Sequence, residues 1–157
     1  MKKKLMCILI ILLLASGLTL FAGTFEIETH RDGTCTIKGY SGSESILVIP
    51  SVIDGYEVAT IGENAFFENY TLISVIIPES VTSIEHLAFA FCVSLTTITI
   101  PKHTINIEGS AFFGCISLLF ILVDEENPVF SLNHGVLYNV KEETLHTYPN
   151  RKKDRVF

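Results

Sequence analysis

The sequence predicts a repeat solenoid, mainly β, in which short parallel strands alternate with irregular or short helical crossing segments. Three observations carry this. A pattern of twenty-three residues recurs between Ile46 and Val123, most clearly in VIIPESVTSIEHLAFAFCVSLTTITIP from Val75 to Pro101. Sliding the chain by that period aligns Ile61 with Ile84 and Ile107, Phe66 with Phe89 and Phe112, Leu72 with Leu95 and Leu118, and Val75 with Ile98 and Ile121. Non-repeating hairpin signals flank the array on both sides. A period of this size marks units that cannot bury their apolar side alone and stack to form one continuous core.

The first element is not part of that array. Residues 1–22 begin with Lys2, Lys3 and Lys4, followed by an apolar run from Leu5 to Phe21. This is the order of a secretory signal, with cleavage expected after Ala22 or Gly23. The alternative is an uncleaved anchor, because the run is about long enough to cross a bilayer as a helix. Lipidation is not expected, since Cys7 comes too early and Cys35 too late. Removal of 1–22 takes 3 of the 11 basic residues and none of the 17 acidic ones, so the remaining chain carries 8 − 17 = −9. Such a chain has no electrostatic footprint for nucleic acid. Its one basic cluster, Arg151 to Arg155, reads as a solvated tail.

Residues 23–45 are expected to cap the array. Phe25 to Thr29 and Thr34 to Lys38 alternate apolar and polar residues around Asp32-Gly33, a hairpin signal that turns Phe25, Ile27, Cys35 and Ile37 inward. Gly39 to Ser45 reads as a turn cluster. It nearly spells a hydrolase elbow, but Ser43 stands where glycine belongs and no strand-turn-helix follows.

Residues 46–123 are read as three units. The first begins with Ile46 to Pro50 and carries a five-residue insert whose Asp54-Gly55 marks a surface turn. In the later units a leucine, a branched residue three positions on and another two beyond point inward at strand spacing. Proline at 78 and 101 then ends the strand, because it cannot donate a further ladder bond. In IGENAFFEN, IEHLAFAFC and IEGSAFFGC, alanine permits close approach and phenylalanine fills the space between layers. At ~25 cal/mol per Å², each buried ring contributes about 4 to 5 kcal/mol before entropy. Phe66, Phe89 and Phe112 are the expected spine.

Residues 124–157 leave the register, with a turn at Asp124 to Pro128 and a hairpin of Gly135–Asn139 with Thr144–Tyr148. Held from one side only, that hairpin is expected to be the weakest part of the fold, with Arg151 to Phe157 frayed.

Taken together, the IP, VTSI, AF, Cys and SL landmarks resemble the BspA-like leucine-rich repeat, the twenty-three-residue type of bacterial and protozoan surface antigens. The resemblance spans Phe25 to Phe157. It implies a leucine-rich-repeat-like solenoid, displayed outside the cell, that binds proteins without catalytic residues.

The residues themselves point to little chemistry. His30, His86, His103, His134 and His146 include no pair at metal-ligand spacing, so no metal or cofactor is expected. Cys92 and Cys115 stand on adjacent rungs, close enough for a disulfide, but ladder side chains point the same way and two buried thiols are favoured. Asn69-Tyr70-Thr71 spells a glycosylation acceptor, yet Asn69 falls in the column of those cysteines, which is expected to be buried. The expected contact surface is the outward row Ser74, Ile76, Thr97, Thr99, Phe120 and Leu122, more apolar toward the last rung. The function expected is a secreted or cell-surface, adhesin-like, non-enzymatic module for a host extracellular-matrix or neighbouring-cell protein. It would touch a membrane only through an uncleaved signal. The alternative is an accessory envelope protein that self-associates through its repeats.

Overall fold

The computed structural model describes residues 23–133, 136–140 and 144–147. The expected signal at 1–22 and the expected frayed end at 151–157 lie outside the described residues.

Each turn of the solenoid contributes a strand to one sheet and a shorter strand to another. The first sheet takes β3 (Ile46–Val48), β6 (Ser74–Ile76), β8 (Thr97–Ile100) and β10 (Phe120–Val123), all parallel and in the order β10-β8-β6-β3. The array therefore makes about four turns. Ile98 pairs with Val75 and with Ile121, 23 residues away in each direction, while Leu47 pairs with Val75 at 75 − 47 = 28, the period plus the insert. Leu72, Leu95 and Leu118 are buried beneath these strands together with Val75, Ile77, Ile98, Ile100 and Ile121. Where a proline would stand in the last turn, Asp124 N–H donates to the Ile100 carbonyl at 3.0 Å, a bond that Pro101 cannot make.

The second sheet holds β1 (Thr24–Thr29), β2 (Thr34–Ser41), β4 (Val52–Ile53), β5 (Tyr56–Ile61), β7 (Ser83–Ile84) and β9 (Asn106–Ile107), with order β1-β2-β5-β7-β9 and β4 paired to β5. The N-terminal hairpin is thus hydrogen-bonded into the solenoid, with β2 running parallel to β5. Asp32 shapes its turn by accepting from Thr34 N–H at 3.0 Å and Thr34 Oγ1 at 2.7 Å, bonds that lower its carboxyl pKa. The insert forms a second hairpin, β4 against β5, through Asp54 (φ 52°) and Gly55 (φ 87°). That pair of positive angles is the two-residue turn whose twist suits antiparallel strands.

The crossing segments take the irregular rather than the helical form, and no helix occurs among the described residues. Their amides bond to the next turn: Phe66 N–H to Ala88, Glu68 to Ala90, Phe89 to Ala111 and Phe91 to Phe113, at 2.7 to 2.9 Å. A helix needs those amides for its own carbonyls four residues back. Positive φ at Asn64 and Glu68, at Leu87 and Phe91, and at Gly114 also interrupts any helical run.

Phe66, Phe89 and Phe112 stack with centroids 4.8 and 5.8 Å apart, as their column requires. The spine extends further than expected. Tyr40 packs on Phe66 at 5.6 Å and Phe25 on Tyr40 at 4.8 Å, because β2 continues to Ser41 instead of ending at Lys38. The Tyr40 hydroxyl donates to Glu44, and burial followed by that carboxylate pushes its pKa up.

Cys92 and Cys115 are thiols, and each Sγ donates to the phenylalanine carbonyl of the preceding turn, Phe66 at 3.1 Å and Phe89 at 3.0 Å. The Cys115 sulfur and burial together hold the Cys92 thiol far above its ordinary pKa. Asn69, at the head of this column, is only half-buried. Its Oδ1 accepts from Thr71 N–H, Thr71 Oγ1 and Leu72 N–H.

The C-terminal segment keeps the register longer than expected. Asn127, 23 residues after Thr104, donates through Nδ2 to the Pro101 and Thr104 carbonyls at 2.8 and 2.9 Å. Its Oδ1 accepts from Val129 and Phe130 N–H at 2.9 and 2.7 Å. A three-stranded antiparallel sheet follows, β11 (Phe130–Asn133), β12 (Val136–Asn139) and β13 (Thr144–Thr147), where the sequence predicts only two strands. Val129, Phe130 and Leu137 are buried in the common core. Because this sheet has one neighbour and an inner turn has two, amides of Val136–Thr147 are expected to exchange well before those of β6 and β8. Hydrogen exchange read by mass spectrometry checks this; equal protection would make the cap as firm as the interior.

Candidate protein-binding face

Alternation along the strands of the first sheet sends every second side chain away from the core. Pairing joins these outward residues into two ladders. One runs Ile46–Ser74–Thr97–Phe120, and the other contains Val48 paired with Ile76 and Thr99 paired with Leu122. All six residues expected from the sequence lie on this face. Ile46 and Val48 belong to it too, and the signal for them was present, since ILVIP repeats the strand phrase of the later turns.

The ladders are graded. Ser74, Thr97, Ile76, Thr99 and Val48 are half-buried between neighbours, whereas Ile46 is 56% exposed and Phe120 and Leu122 are 51% exposed at the opposite edge. The C-terminal sheet does not close over Phe120 and Leu122. Thr99 also serves the backbone, because its Oγ1 accepts from Ile77 N–H at 3.0 Å and so satisfies a donor just beyond the end of β6. None of the eight side chains is charged, so the face can desolvate without stranding a buried charge.

Other polar groupings hold the turns together. His86 Nδ1 lies 2.6 Å from Ser110 Oγ and 3.8 Å from Glu108 Oε2. A nucleophile relay needs its acid on the opposite ring nitrogen from the hydroxyl, and here both face the same one, on an open surface. His103 Nδ1 stands 3.2 Å from the Glu79 carbonyl, and Lys102 Nζ pairs with Glu126 at 2.5 Å. These exposed links tie adjacent turns. Among the described residues, no group of three His, Cys, Asp or Glu side chains is placed to hold a metal ion.

Residues 44–151 match the family model described as the BspA type leucine rich repeat region, in six copies. Among solved structures, the chain is similar to a leucine-rich repeat protein from T. pallidum, with 33% identity, a TM-score of 0.60, and coverage of 62% of this chain and 46% of that one. It is similar to one from Bacteroides ovatus at 28% identity and a TM-score of 0.59, covering 70% of this chain and 30% of that one. A third, from Bacteroides capillosus, is 28% identical with a TM-score of 0.50 and coverage of 64% and 94%. The chain thus spans less than half the length of the first two. No curated protein matches it.

Proposed function

The chain belongs to the BspA type leucine-rich repeat family, and from that premise we propose that it is an exported, non-enzymatic module that binds a protein ligand on the outer face of the β3-β6-β8-β10 sheet. The observation that carries this reading is the pair of uncharged ladders ending at Ile46, Phe120 and Leu122, each more than half exposed. Large apolar side chains at the edge of an uncharged face are what protein interfaces desolvate. Ser74, Ile76, Thr97 and Thr99 supply the shallow middle, and Phe120 with Leu122 the anchor. The proposed setting, secreted or at the cell surface, rests on the lysines and apolar run of residues 1–22. The proposed partner class is an extracellular-matrix or surface protein of a host or neighbouring cell.

The test is binding of the exported chain to a panel of such proteins, with the double substitution Phe120→Ser and Leu122→Ser. Removing two anchors is expected to weaken binding at least tenfold while the circular dichroism spectrum stays unchanged. Binding that survives the double substitution would move the site off this face. Absence of any panel ligand, with reversible self-association, would favour the accessory envelope reading instead.

A further inference from the structure

Asn69-Tyr70-Thr71 spells an N-glycosylation acceptor, and the objection to its use is burial in the cysteine column. The structure removes that objection. Asn69 is half-buried, whereas Cys92 and Cys115 in the next two turns are 0% and 7% exposed. Those thiols point inward, each to the phenylalanine carbonyl of the preceding turn. The Asn69 amide is held by its own chain instead. One of its two polar atoms accepts from Thr71 N–H at 3.1 Å, Thr71 Oγ1 at 2.9 Å and Leu72 N–H at 3.1 Å. Backbone amides converge on that atom, so it is the carbonyl oxygen, and the amide nitrogen occupies the other corner of the plane.

The nitrogen is open to solvent. Among the described residues Ser80 Oγ is the only buried side-chain nitrogen or oxygen without a hydrogen bond. Asn69 Nδ2 has no acceptor among those residues either, so it is not buried. The neighbours suit a bulky attachment. Glu68 and Thr71 are exposed, and the rings of Phe67 and Tyr70 on either side are 40% and 55% exposed. Within two residues of Nδ2, each ring offers an apolar face to the C–H side of a sugar. Attachment at Nδ2 costs none of the bonds described above, since all of them end on Oδ1.

We propose that Asn69 Nδ2 carries an N-linked oligosaccharide. The donor class is an oligosaccharide on a lipid pyrophosphate, and the reaction is a substitution at the first sugar. Nδ2 forms a bond to C1 while the C1–O bond to the pyrophosphate breaks. The lipid pyrophosphate leaves with the electron pair, and the amide proton passes to a base of the transferase. Nothing is oxidised or reduced. The Thr71 hydroxyl is the group that the acceptor motif requires two residues after the asparagine. The proposal rests on the reading of the chain as exported, because such donors present their sugars on the far side of the membrane. The sugar would stand apart from the proposed binding face, since Asn69 lies on a crossing segment and Phe120 and Leu122 on β10.

Peptide mass spectrometry tests it, on the full chain recovered both from the cells that make it and from their exterior. The expected result is sugar mass on the exported chain, located by fragmentation at Asn69. Asn69→Asp keeps an acceptor for all three donors but has no nitrogen to modify, and Thr71→Val removes the hydroxyl. Each is expected to reduce the modified fraction at least tenfold, and Thr71→Ser to retain it, while the buried thiols of Cys92 and Cys115 stay unreactive to alkylation. An exported chain with Asn69 unmodified would overturn the proposal and leave the export reading standing, as would sugar that survives either Asn69→Asp or Thr71→Val. A chain found only inside the cell would overturn both.

Discussion

Phe89→Ala is expected to lower the unfolding free energy by about 3–5 kcal/mol, read from the denaturant midpoint at constant slope. Phe89 is fully buried and stacked on both faces, at 4.8 Å from Phe66 and 5.8 Å from Phe112. Removing it empties a site whose walls belong to three successive turns, and those turns cannot collapse inward independently because their amides are bonded across the gap. Since a domain of this size is stable by only ~5–15 kcal/mol, the variant is expected to be partly unfolded at 37 °C. Phe112→Ala should cost less, because only one of its neighbours is a spine ring. Equal losses at the two positions would show that the stack does not act as a continuous column.

Asn127→Ala is expected to cost about 2–4 kcal/mol, second only to loss of the central spine ring. Four hydrogen bonds disappear at once, two to carbonyls of the last turn and two from the amides of Val129 and Phe130. Each is worth ~1 kcal/mol, with more where a buried group is left unpaired. Asn127→Asp separates the two halves of this role. It keeps the acceptor for both amides but turns a carboxylate oxygen toward two carbonyls, an arrangement that raises the folded-state pKa. Protonation restores a donor, so the deficit of Asn127→Asp relative to wild type should be largest at pH 7 and shrink as pH falls through the raised pKa. A deficit independent of pH would mean that Nδ2 contributes little.

Much of this fold was legible because the period is long and faithfully kept. Once Val75, Ile98 and Ile121 share a column, the burial of one predicts the others, and the same holds for Phe66, Phe89 and Phe112. The Asp54-Gly55 hairpin was legible for a local reason, the positive φ that its two residues tolerate. The candidate face was legible through strand alternation. Ile46 and Val48 were legible in the same way, since Ile46 to Pro50 repeats the strand phrase of the later turns, and the insert only sets their pairing at 28 residues instead of 23.

Inward and outward positions, the turn residues and the stacking direction were determined by the sequence itself, since each depends on the phase of a residue within its own turn. Tertiary structure decided the rest. Whether a crossing segment coils into helix depends on where its amides find carbonyls, and the next turn offers them at 2.7 to 2.9 Å. Tyr40 joins the spine because β2 continues past its pairing with β5 to Ser41 and brings the ring onto Phe66, 26 residues on, not because of any pattern in Gly39 to Ser45. In every such case the deciding partner lies one turn away in space and more than twenty residues away in sequence, beyond the reach of local propensity.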